Sequence, residues 1–239
     1  MKKLTVFLAL VSAMIVSLSF VSEAQTMNNE QSLNARQQSI VTIAAFTASG
    51  DMENLAPALS GGLNAGLTVN EIKEVLVQLY AYAGFPRSLN ALNAYMSVLK
   101  ERQARGIKDV VGREASPLPT NKSLIELGTE IQTRLIKGPV TGEVYTFAPV
   151  IDQFLKSHLF GDIFGRDTLD FQSREIATIA ALASLKGVNA QLRSHFRVGM
   201  NTGLTEAQMN SLVSVLKSKV GKLEADNAAE VLNKVLSNQ

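Results

Sequence analysis

Apolar positions along this chain recur at helical rather than strand spacing. Between residues 192 and 200, Leu192, His195, Phe196, Gly199 and Met200 fall at i, i+3, i+4, i+7 and i+8, one face of a helix. No convincing run alternates apolar and polar residues, so no strand is predicted. Gly66-Leu67-Thr68 and Gly203-Leu204-Thr205 punctuate two such helical stretches. Each glycine suits the left-handed position just past a helix end. The threonines begin Thr68-x-x-Glu71 and Thr205-x-x-Gln208, capping boxes that start the next helix. Pro86 falls in the first turn of a further helix, where a missing N–H costs nothing. The pattern predicts an all-α fold.

The two Gly-Leu-Thr turns belong to an internal repeat. Leu55–Thr68 aligns with Leu192–Thr205 at an offset of 137, which runs on without a gap through Gly84/Gly221, Asn90/Asn227 and Leu99/Leu236. Upstream, Ile40–Phe46 aligns with Ile176–Leu182 at 136, so one residue differs between the first two helices of each copy. The copies are assigned to 34–104 and 170–239. A Gly- and Pro-containing linker covers 105–120, and two connecting helices are expected over 121–136 and 144–160, within a connecting region 105–169.

The N-terminus changes the picture of where the chain works. Lys2 and Lys3 precede a mostly apolar stretch, Leu4–Val21, and Ser22-Glu23-Ala24 has small residues at the two positions that mark a cleavage site. Residues 1–24 are therefore expected to be a signal peptide cleaved after Ala24, with 25–33 a frayed segment. The expectation is an exported protein, periplasmic or secreted, with no stable membrane insertion after processing. Composition then excludes several functions. The formal net charge is +2, no Lys/Arg block stands out and there is no Trp, so nothing provides a nucleic-acid footprint. The absence of cysteine removes disulfides and all thiol chemistry. No phosphate loop, Gly-x-Ser-x-Gly elbow or dinucleotide fingerprint occurs.

The stretch Gly62–Leu76, followed by Tyr82-Ala-Gly-Phe-Pro86 and Asn90-Ala-Leu92, resembles the carboxymuconolactone decarboxylase family, and Gln191–Thr205 repeats the signature. The resemblance implies a tandem duplicated helical domain of the carboxymuconolactone decarboxylase/alkylhydroperoxidase D-like type. It also implies assembly as trimers or hexamers, so that one two-copy chain replaces two subunits and a trimer of chains is expected. The family contains cofactor-free lactone decarboxylases and thiol enzymes that use Cys-x-x-Cys-x-x-x-His. That frame falls on Val188, Gln191 and His195 in the second copy and on Asp51, Asn54 and Ala58 in the first, with no cysteine in either. The thiol route is closed.

Candidate site residues follow from the asymmetry of the copies. His195 lies on the apolar stripe of its helix and at the family's histidine position, whereas the first copy has Ala58. A shielded imidazole can act as general acid or base; equally, it can be a hydrogen-bonded core residue. Gly199, one turn on, leaves room for a substrate or a close helix. The first copy keeps Tyr80, Tyr82, Phe85, Pro86 and Arg87 where the second has Lys217, Lys219, Lys222, Leu223 and Glu224. One composite site per chain is expected: His195 as the catalytic group, with Arg87, Tyr82 and Tyr80 binding substrate. Arg87 offers the rigid fork that grips a carboxylate. Arg174 and Glu175 read as structural residues opening a helix, and Arg193 and Arg197 as solvated or interface residues. His158 and Asp162 are four apart, yet two ligands are too few for a metal, and no metal or other cofactor is expected. The function these residues point to is a cofactor-free decarboxylase-like lyase acting on a small carboxylated lactone or oxo acid. The competing reading is a non-catalytic exported scaffold or small-molecule binder.

Overall fold

The computed structural model describes residues 32–237. The expected signal peptide and residues 25–31 of the frayed segment lie outside them. Among the described residues there are helices and loops but no strand. None of these helices is long and apolar enough to cross a membrane.

The first copy comprises α1 (Ala35–Ser49), α2 (Met52–Asn64), α3 (Val69–Gln78), the short α4 (Tyr80–Ala83) and α5 (Phe85–Ala104). Next come α6 (Leu124–Ile136), α7 (Glu143–Phe147) and α8 (Pro149–Phe154), the last running into a π-helical segment Leu155–Ile163. The second copy comprises α9 (Phe171–Ala183), α10 (Asn189–Asn201), α11 (Glu206–Val215), a π-helical turn Leu216–Val220 and α12 (Lys222–Leu236). The pairs α2/α10 and α3/α11 start and stop at residues related by the offset of 137. Both capping boxes form, and Gly66 and Gly203 take the left-handed conformation at φ 91° and 100°. The paired boundaries give the duplication its physical form.

At the centre, α1 and α9 pack on each other and are buried on every side over Ile40–Ala48 and Arg174–Ala183. An all-round apolar helix must sit inside a core, and the alanines at 44, 45, 180 and 181 let two such helices approach closely. The remaining helices of each copy wrap this pair into one continuous core. Leu33 is itself buried and donates its N–H to Ser211 of α11, so the end of the segment expected to fray is anchored.

The linker 105–120 is irregular but tied down. The carbonyls of Val110 and Val111 accept the N–H groups of Val69 and Asn70, supplying partners that the first turn of α3 otherwise lacks. The single helix expected over 144–160 is instead broken at Ala148-Pro149 and ends in the π-helical segment. Proline cannot donate to the preceding turn and disfavours a helical residue before it; Ala148 accordingly has φ −131° and ψ 75°.

Candidate functional site

The duplication exchanges short turns between the copies. The α4 turn of the first copy packs on α9 of the second, and the π-helical turn of the second packs on α1 of the first. The first exchange brings Tyr82 to His195. The rings meet edge to face, 5.4 Å between centroids and 81° between planes. His195 is positioned by α10, with its side chain 16% exposed. Its Nδ1 lies 2.8 Å from Oε2 of Glu175, whose side chain is 1% exposed on α9. A carboxylate on one ring nitrogen fixes the imidazole's orientation and directs its chemistry to Nε2.

Two oxygens beside this pair lack partners: Oε1 of Glu175 and the hydroxyl of Tyr82. The Thr178 hydroxyl, close to Tyr82, donates to the Arg174 carbonyl and accepts from Gln78, which leaves it one lone pair facing the phenol. Burial, reinforced by the Glu175 charge, pushes the Tyr82 phenol well above its ordinary range. Tyr82 therefore keeps its proton. Unsatisfied buried polar groups are uncommon and costly, and where two flank a histidine they point to a functional cluster.

Behind the trio lies a buried ionic network. Arg174, fully buried, gives Nη2 to Glu74 at 2.8 Å and to the Arg166 carbonyl, and Nη1 to Gln78 at 2.8 Å. Arg166 grips the same Glu74 through Nε at 3.0 Å to each oxygen. Burial lowers the Arg174 guanidinium from its usual value while Glu74 opposes the shift. This network holds α9 against α3 and so fixes Glu175.

The other sequence-derived candidates fall in different places. Tyr80 stacks on Phe85 at 4.2 Å and tilts towards His158, in a second cluster with the π-helical segment. His158 pairs with Asp162 at 2.7 Å on an exposed surface. Among the described residues no group of three or more metal-ligating side chains forms. Arg87 is half-buried, with its Nε over Gly50 at the end of α1. Neither Tyr80 nor Arg87 contacts the His195 trio through a hydrogen bond, ion pair or ring contact. Gly199 serves helix packing rather than a substrate: a Cβ there would come 2.6 Å from Met209 and 3.3 Å from Ile179. Arg193 and Arg197 are exposed.

Glu175 is the residue that the sequence reading placed in a structural role and that the geometry joins to His195. A signal for it existed. Ile176–Ala183 offers no polar face, so a charge at its start had to find a buried partner.

The model of the carboxymuconolactone decarboxylase family matches residues 20–95 and again residues 149–234. No curated protein matches the chain closely enough to count as a relative.

Proposed function

Because the chain belongs to the carboxymuconolactone decarboxylase family, we propose that it is a cofactor-free, acid–base lyase of decarboxylase type acting on a small carboxylated lactone or oxo acid. The observation that supports this reading is the Glu175–His195–Tyr82 trio, assembled from both copies. In the proposed step the bond from the substrate carbon to its carboxylate breaks and CO2 leaves. The electron pair moves into an adjacent unsaturated carbonyl, and His195 Nε2 delivers a proton to the resulting carbanion or enolate. Solvent then reprotonates the imidazole. Glu175 is a positioning residue, because it acts through His195. Tyr82 retains its proton and orients the substrate oxygen. Arg87, for the carboxylate, and Tyr80 remain proposed substrate contacts, although in this chain neither touches the trio.

The test is CO2 release from a panel of carboxylated lactones and oxo acids, followed by His195→Gln. General acid–base groups contribute about 10²–10⁴-fold; a loss of that size with the fold intact supports the proposal. Full turnover in His195→Gln, with loss in Arg87→Ala or His158→Ala, would move the site elsewhere.

A second reading, a binder or scaffold without turnover, is favoured by one observation. Among the described residues, cavities of 260 to 650 Å³ open that neither His195 nor Tyr82 lines. A panel on which neither wild type nor His195→Gln turns over any compound would favour it.

The proposal also places the protein outside the cytoplasm after loss of residues 1–24, as a trimer of two-copy chains. Mass spectrometry should find Gln25 or its cyclised form at the mature N-terminus; a retained Met1–Ala24 segment would contradict export by cleavage.

A further inference from the structure

The second exchanged turn creates a counterpart of the His195 site with different chemistry. The positions equivalent to His195, Glu175 and Tyr82 are Ala58, Ser39 and Lys219. All three line one cavity of about 450 Å³, within the range of small-molecule pockets. The replacements act together. Alanine for histidine removes the ring that would fill the space. Serine for glutamate removes the buried negative charge. Lysine for tyrosine brings in a positive one.

We propose that this cavity is a binding site for a small hydroxy acid with an apolar body, distinct from the His195 trio and independent of whether that trio catalyses a reaction. Lys219 is the only charged residue lining the cavity, and it forms no ion pair or hydrogen bond among the described residues. An unopposed ammonium at the rim selects a carboxylate. The Ser39 hydroxyl donates to the Ala35 carbonyl at 2.9 Å and the Thr42 hydroxyl to the Ser39 carbonyl at 3.0 Å. Their protons are committed while their oxygens can still accept. A ligand hydroxyl meets that need. Phe46, Pro57 and Ala58 supply the apolar contact for its body.

The probe is 4-hydroxybenzoate, titrated into the full mature chain and followed by amide chemical shifts and calorimetry, with 4-hydroxybenzamide as the uncharged comparison. Saturable binding is expected, with shifts clustered on α1, α2 and the 216–220 turn. Lys219→Met should weaken it at least tenfold, as should exchanging the acid for the amide. Lys219 is exposed, so this variant keeps its fold, which melting temperature verifies. Ala58→Phe should fill the cavity and abolish binding, while His195→Gln should leave it unchanged. The proposal is overturned if the acid does not saturate at millimolar concentration, or if the amide binds equally well. It is also overturned if His195→Gln removes binding and Lys219→Met does not, since the ligand then occupies the other site.

Discussion

Tyr82 and Glu175 carry an energetic signature that can be tested without knowing a substrate. A buried hydroxyl without a partner costs about 1–3 kcal/mol relative to a satisfied one, and the Tyr82 hydroxyl is such a group. Tyr82→Phe keeps the ring that contacts His195 and deletes the unsatisfied oxygen. It should raise stability in urea unfolding by about 1 kcal/mol while lowering any turnover. A Tyr82→Phe protein less stable than wild type would mean that the hydroxyl is satisfied in solution, and its functional argument would fall. Glu175→Gln separates positioning from chemistry. Glutamine can still meet Nδ1 but carries no charge, so kcat should fall while KM stays close to that of the wild type. A purely structural Glu175 would change stability and leave kcat of the folded protein unmoved.

Between elements, the tightest contact is where α6 crosses the π-helical segment. A Cβ on Gly128 would run into the Lys156 carbonyl, and one on Gly161 into that of Leu124. Gly128→Ala must therefore push backbone away from backbone, which side-chain rotation cannot relieve. It should destabilise by about 1–3 kcal/mol or more by denaturant titration, whereas Gly138→Ala, with nothing within 4 Å of the new methyl, should be close to neutral. Equal effects would mean that the crossing is looser than described. This crossing was not legible in the sequence, because its glycines sit in a region with no repeat partner and its π-helical turns have no periodic signature. The duplicated helices were legible for the opposite reason. Gly66-Leu67-Thr68 and its copy combine a left-handed glycine with a capping box, and both act locally. The exchange of α4 and the 216–220 turn was half legible. The opposite losses in the two copies pointed to a composite site, and Tyr82 does meet His195. Only three dimensions separate Tyr80 and Arg87 from that histidine, since neighbours in a short turn point in different directions.

For the whole molecule, the connecting region supplies a surface that a lone chain leaves uncovered. Val144, Phe147, Val150 and Phe154 are exposed, Phe147 at 90%. Exposed apolar side chains clustered in one stretch of sequence are a candidate surface for association, which the proposed trimer requires. Light scattering should give three chains per particle, and Phe147→Asp with Phe154→Asp should give one; a monomeric wild type would refute the assembly. Alkaline pH tests the core more directly. Tyr82 and Tyr95 both have phenols pushed above their usual value, in each case chiefly by burial. An unfolded tyrosine ionises near pH ~10. Below that, folded and unfolded chains hold the same phenolic protons, and stability from these groups is fully present. Above it, the unfolded chain releases protons that the folded one retains, so the unfolded state binds fewer and stability falls as pH rises. Each tyrosine contributes a slope of up to about 1.4 kcal/mol per pH unit. Urea midpoints should accordingly stay level from pH 7 to 9, to within about a pH unit of the phenol value, and decline beyond it. Tyr82→Phe and Tyr95→Phe should each remove part of that decline. A double variant whose alkaline slope equals that of the wild type would show that the two hydroxyls reach water in the native state, and the burial of the Tyr82 hydroxyl would have to be abandoned.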